Sequence, residues 1–345
     1  MFYILFILFS TSLSAQDLHF SQFSDSPLNL NPALAGVFNG DFRWVGNYRS
    51  QWSSVTIPYS TSAASLDLPI VKTASNNFIG IGGSAFIDKA GDSGFKTTQF
   101  NFAFSYDQTF SSSPLHRNDR KTTQTVSLGM MAGYGQVSID PSGLIFDSQF
   151  DGRNLNNNLP GESLPLYQFF YPDISLGFLW SLTTKYIIDQ FDLYLGGAWY
   201  HLNFPNRSFM GNNGAFLYPK YVVHAGSQFK LNDRIYFLPT AVYFLQGPST
   251  ELMGGTYIKY VINPSVLTKP SFYAGAWYRL QDAWTVGIKF YYDNIIVGYS
   301  YDINSSDLYV ASNLRGANEL SITFMNPKPS RKKPYRRLEC PVFGS

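Results

Sequence analysis

Charge is scarce in this chain. Of 345 residues only 14% are Asp, Glu, Lys or Arg, against about 25% in an ordinary soluble domain. A surface wholly in water is hard to build from so few charges. Cysteine is nearly absent: the single Cys340 excludes an intrachain disulfide framework and, with four scattered His, a Cys-based zinc site. Long apolar runs are missing too. Only Met1 to Leu13 is predominantly apolar, and a membrane helix needs about 20 such residues. With no polybasic core and no heptads, nucleic-acid binding and a coiled coil are also excluded.

Aromatics and glycine are abundant, with 30 Phe, 24 Tyr and 28 Gly. Past residue 40 the dominant period is two. Phe100, Phe102, Phe104 and Tyr106 alternate with Asn101, Ala103, Ser105 and Asp107. Trp284, Val286, Ile288, Phe290 and Tyr292 likewise oppose Thr285, Gly287, Lys289, Tyr291 and Asp293. Such alternation puts apolar groups on one face of a strand and polar groups on the other. Fourteen segments read this way: 41–52, 57–68, 78–88, 95–110, 122–139, 171–183, 185–202, 219–231, 234–246, 250–262, 269–280, 283–293, 294–303 and 316–325. An even count of strands long enough to cross a bilayer at a tilt predicts an all-β fold, a transmembrane antiparallel β-barrel of an outer membrane. The two longest gaps, 140–170 and 203–218, are odd-numbered connections, which face outward when both termini are periplasmic, although 111–121 and 263–268 are even-numbered yet longish and 280–283 is odd-numbered yet short. The competing architecture is a large secreted β-sandwich or propeller, but no blade-length repeat is present.

The flanks divide the chain further. Residues 1–15 read as a secretory signal peptide, with Ser12-Leu13-Ser14-Ala15 placing small residues before a cleavage point ahead of Gln16. Export to the outer membrane of a Gram-negative cell follows. Residues 16–40 form an N-terminal segment on the periplasmic side of the barrel at 41–325. In it Asn31 suits a helix N-cap, Pro32 the first helical position and Gly36 the stop, so one short turn is expected. Interleaved Phe20, Phe23 and Leu28 predict packing in or under the barrel mouth; a plain leader is the bland alternative. Residues 326–345 are a basic tail, with six Lys or Arg against Glu339.

The chain also resembles a known family. Gln16-Asp17-Leu18-His19-Phe20-Ser21-Gln22-Phe23, then Pro27-Leu28-Asn29-Leu30-Asn31-Pro32-Ala33-Leu34-Ala35-Gly36, then Tyr48-Arg49-Ser50-Gln51-Trp52 are similar to the opening of the PorP/SprF outer-membrane proteins. The likeness runs on through Asp88 to Gly94, Phe146 to Phe150, Tyr171 to Ile174, His201 to Asn206, His224 to Gly226, Gly298 to Asp302 and Cys340 to Phe343. Val342 and the final Gly344-Ser345 depart from the expected ending. The resemblance implies a non-enzymatic barrel of the type IX secretion system, without cofactor or metal. It further implies work in secretion and surface anchoring, including motility adhesins of gliding species. Its implied partners are secreted proteins carrying C-terminal sorting domains, the periplasmic ring lipoproteins and translocon, and outer-membrane lipid. A porin or transport channel for a small or hydrophobic solute is the alternative.

Candidate contact residues sit at both ends. In the outer loops, Arg153, Tyr167, Phe169, Arg207, Phe209 and Met210 combine ring area with adaptable polar groups, a pattern suited to protein recognition; lumen plugging is the other role for these loops. In the tail, Lys332 and Arg336 suit an acidic partner or lipid headgroups, unless the tail is simply solvated. Cys340 and Phe343 read as a docking motif. His201 and His224 fall on neighbouring strands, where lumen hydrogen bonding is the simplest role.

Overall fold

A computed structural model describes residues 17–53, 57–72, 77–91, 94–111, 121–140, 145–152, 154–156, 161, 166–185, 190–211, 214–265, 269–306 and 313–326. Alternation of apolar and polar side chains, the reason for expecting strands, produces β1 (Phe42–Gln51), β2 (Tyr59–Lys72), β3 (Phe78–Ala90), β4 (Phe95–Ser111) and β5 (Lys121–Ser138). A two-stranded hairpin follows within the next connection, β6 (Phe150–Asp151) and β7 (Asn154–Leu155). Then come β8 (Gln168–Lys185), β9 (Gln190–Tyr200), β10 (Lys220–Lys230), β11 (Ile235–Gln246) and β12 (Ser249–Val261). The chain of strands ends with β13 (Ser271–Arg279), β14 (Ala283–Tyr292), β15 (Ile295–Asn304) and β16 (Arg315–Asn326). All but β6 and β7 join one closed antiparallel barrel of fourteen strands, sealed by β1 on β16 with Phe42 opposite Asn326 and Gln51 opposite Ala317.

The fourteen strands match the expected segments in order, and the loop hairpin is an addition. The shared register of adjacent strands fixes which side chains turn outward. Phe100, Phe102, Phe104 and Tyr106 are exposed, while Asn101, Ala103, Ser105 and Asp107 are buried. Ile174, Leu176, Phe178, Val286, Ile288, Phe290, Leu320 and Ile322 continue the exposed apolar belt. Such a surface is stable against lipid and not against water.

The lumen is filled. Residues 17–40 run inside the barrel in three short turns, at Phe23–Asp25, Pro27–Leu30 and Pro32–Leu34, where a single turn was expected. Asn31 caps the third turn by accepting from the Ala33 amide at 2.9 Å, and Pro32 opens it. Gly36 leaves it at φ +71°, a region that glycine enters without strain. Leu28, Leu30, Ala33, Leu34 and Ala35 are fully buried and form the core with the inward Met131, Leu179, Tyr194, Val222, Val242 and Trp277. Wall glycines make the approach possible. A side chain at Gly129 or Gly177 would overlap the backbone or Asn31 of the third turn.

Candidate functional site

The plug is tied to the wall by polar groups at every depth. At the inner end Arg43 of β1 forks onto Asp67 of β2, with Nε at 3.0 Å and Nη2 at 2.8 Å. Arg43 also donates to the Leu34 carbonyl at 3.1 Å, and the Gly36 amide donates to Asp67 at 2.8 Å. Half-way up, Lys289 pairs with Asp25 at 2.6 Å, and Asn31 donates to the Phe178 carbonyl at 2.8 Å and lies 3.0 Å from His224. Nearer the outer end Ser21 sits between Arg49 and Arg279, accepting from both at 2.7 and 2.6 Å and donating to Asp302 at 2.7 Å. Glu319, itself paired with Arg49, accepts from the Ser21 and Gln22 amides at 2.6 and 2.9 Å. Charges buried in this way persist only when each is matched and hydrogen-bonded.

The outer end of the plug meets the long loops. The connections at 139–167 and 201–219 leave the end opposite the start of β1 and the close of β16, which longer loops mark as the extracellular end. They pack on one another, with the Leu166 amide donating to the Phe209 carbonyl at 3.1 Å. The second connection folds back on itself through Arg207 to Ala215 at 2.7 Å and Leu217 to Pro205 at 2.9 Å. Under them lies a cavity of about 470 Å³, floored by Leu18 and Asn29 of the plug. Its walls include Phe95, Phe169, Phe209 and Tyr171. Phe169 and Phe209 meet edge-on with centroids 4.9 Å apart, and Arg207 lies 5.4 Å from the Tyr171 ring centre.

Charge gathers at the inner side of this cavity around Asp17. His201, just beyond β9, bonds Asp173 through Nδ1 at 2.9 Å and Asp17 through Nε2. Gln246 donates to Asp17 at 3.0 Å, and Arg207 stands 3.7 Å from it. Burial works against a charged ring at His201, yet Asp17, by charge and hydrogen bond, and then Asp173 outweigh it and push its pKa up to about 9. Burial likewise opposes ionisation of Asp17, but His201, then Lys220 and Arg207, hold its carboxyl far below the ordinary range. Both ring nitrogens of His201 are occupied by carboxylates, which makes it a tether and leaves no free base.

Of the residues expected from sequence, Phe169, Arg207 and Phe209 converge in the cavity. Tyr167 and Met210 are exposed, at 50% and 58%, and lie outside its lining. Arg153, Lys332, Arg336, Cys340 and Phe343 lie outside the described residues. His201 and His224 do bond within the lumen, to separate partners. The tethering set of Arg43, Asp67, Arg49, Arg279, Asp302 and Glu319 was not singled out. Its signal was present, since ionisable residues on the inward parity of membrane strands are costly and so rarely idle.

This geometry meets an independent comparison. The model of the family described as type IX secretion system membrane protein PorP/SprF matches residues 12–324, nearly the whole chain. The chain belongs to the PorP/SprF family. It is an outer-membrane barrel of the type IX secretion system. No curated protein matches it in sequence. Similar solved structures include the Ralstonia pickettii toluene transporter TbuX, with 12% identity, TM-score 0.39, and coverage of 87% of this chain and 91% of that one. A Pseudomonas aeruginosa FadL homologue gives 9% identity, TM-score 0.40 and coverage of 86% and 97%. The transport unit of the Escherichia coli autotransporter AIDA-I gives 11% identity, TM-score 0.38 and coverage of 88% and 99%. In this PorP/SprF member, then, the ring-walled cup and the plug beneath it form the candidate site.

Proposed function

We propose that this PorP/SprF barrel is a closed docking platform that holds secreted proteins at the cell surface by their C-terminal sorting domains. The observation carrying this reading is the filled lumen. With residues 17–40 tied to the wall along its length, contact with a client falls to the outer cup and its loops. Rings such as Phe169, Phe209 and the exposed Phe216 and Tyr218 supply contact area there. Arg153, Tyr167, Arg207 and Met210 extend the contact surface. On the periplasmic side the tail bearing Lys332, Arg336, Cys340 and Phe343 meets the ring and motor components of the system. The barrel serves as a holder, without chemistry of its own.

The test is affinity purification of the tagged barrel from outer membranes after mild crosslinking, followed by mass spectrometry. Recovery of a large secreted protein, crosslinked through its C-terminal domain to loop 201–219, is expected. A barrel recovered alone, or crosslinked to clients only through its periplasmic face, overturns the reading.

A further inference from the structure

Asp17 is the first described residue of the plug, and its carboxylate lies in the wall of the outer cavity rather than in the packed core. Around it stand Nε2 of His201, the Gln246 amide at 3.0 Å and the Arg207 guanidinium at 3.7 Å. Lys220 borders the same cavity, only 8% exposed. Its ammonium donates to the Leu18 carbonyl at 3.1 Å and lies 5.2 Å from the Phe244 ring centre. No carboxylate of the described residues pairs with it. In the same wall the hydroxyl of Tyr200 is buried with no hydrogen-bond partner among the described residues. Cationic and amide donors thus converge on one point at the inner end of a pocket walled by Phe86, Phe95, Phe169, Tyr171 and Phe209. The opposing acids are already engaged, Asp173 by His201 and Asp88 by Thr61 at 2.6 Å. The volume falls within the roughly 300–1,000 Å³ of ordinary ligand sites, which pair apolar walls with a few convergent polar groups.

We propose that the cavity is a receptor for an apolar, ring-bearing chain ending in a carboxylate, and that Asp17 is the internal occupant of its anion seat. An incoming carboxylate takes the place of Asp17 on His201, Gln246 and Arg207 and draws in the Lys220 ammonium at the cavity border, while its apolar body fills the ring-walled cup. Leu18 and its neighbours are then freed from the wall. The coupling runs both ways, because a ligand competing with a tethered group must bear the cost of displacing it. Carboxylates of this kind come either from the C-terminus of a polypeptide or from a free acid. The polypeptide source rests on the docking function proposed above, whereas the seat itself does not.

Binding is measured on the purified full-length barrel in detergent with three probes: a dansylated tripeptide ending in Phe, its C-terminal amide, and 4-phenylbutyrate. The free-acid peptide should bind at least about tenfold tighter than the amide, a charge-assisted contact having been removed. Asp17→Asn empties the seat of charge and should tighten the acid by a similar factor. Lys220→Met and Arg207→Met should each weaken it. Heat-modifiable migration in gels confirms that every variant is a folded barrel. Binding of 4-phenylbutyrate as tight as the peptide acid supports the seat and points to free acids; binding of the peptide acid alone supports it and points to a polypeptide. Equal affinity for acid and amide, no binding of either acid, or an affinity unmoved by Asp17→Asn overturns the proposal. Since no client or secretion partner is present in the assay, its failure leaves the docking function untouched, and the reverse also holds.

Discussion

Single buried charges decide how firmly the plug is held. Arg43 and Asp67 are 2% and 0% exposed and share their hydrogen bonds with the plug backbone at Leu34 and Gly36. Asp67→Asn removes the charge set against Arg43 while leaving the shape intact. A loss of about 3–5 kcal/mol is expected, the usual cost of breaking a buried pair from one side. It is read as a fall in the temperature at which the barrel loses its heat-modifiable mobility. The double change Arg43→Met with Asp67→Leu should regain only part of that loss, because it removes the unpaired charge but takes their partners from the Leu34 carbonyl and the Gly36 amide. A single variant as stable as wild type would show that Arg43 needs no carboxylate. At the outer end the tie between His201 and Asp17 is pH-dependent. His201 is raised from 6.5 to about 9, so its stabilisation is complete below about 6.5 and fades as pH climbs through about 9. Asp17 is lowered from 3.8, so its share is complete above that value and is lost only in stronger acid. A fluorophore on Leu18→Cys in a Cys340→Ser background should lose anisotropy in a step centred near pH 9. His201→Gln should abolish the step, and a flat trace to pH 10 in the otherwise unmodified barrel would mean the tie is not ionic.

Among elements, the plug separates a platform from a pore. Its third turn fits only because the wall carries glycine at 129 and 177. Gly129→Val places a branched side chain where the backbone of Pro32 and Ala33 now lies, so the turn must leave the lumen. In planar bilayers the wild-type barrel should be nearly silent and Gly129→Val should conduct in steady steps. Equal conductance of the two would mean that residues 17–40 do not close the lumen. The strands themselves were readable in the sequence because lipid and lumen impose opposite chemistry on successive residues. Where that contrast fades, so did the boundaries. At Gln168-Phe169-Phe170, β8 extends beyond the expected 171, since above the bilayer both faces carry rings. The plug's seat was much less legible. Ser21 and Asp302 are 281 positions apart, and no local pattern joins them, although Arg49 and Glu319 betray themselves as charges on the inward parity. In the cavity, Phe169, Arg207 and Phe209 stood out by loop composition. Asp17, Tyr171 and Asp173 did not, because their roles depend on closure of the barrel.

At the scale of the whole molecule, every functional statement depends on which end faces out. Connections at 139–167, 201–219 and 305–314 leave one end, and the other, where the chain also ends β16, carries none longer than the nine residues of 112–120 and 262–270, with tight turns at 231–234 and 293–294. The short-turn end is periplasmic in barrels of this kind. Asp17, the cavity and the loop rings therefore face the medium, and the basic tail starts beneath the membrane. The assignment is tested with single cysteines in a Cys340→Ser background, placed at the exposed Phe216 and in the turn at Asn294. A membrane-impermeant maleimide should label Phe216→Cys in intact cells and Asn294→Cys only after the outer membrane is permeabilised. If the order is reversed, the cup opens toward the periplasm. The ring-walled cup could then not serve as a receptor for surface proteins, because Asp17, the cavity and the rings of loop 201–219 would all lie on the periplasmic side of the membrane.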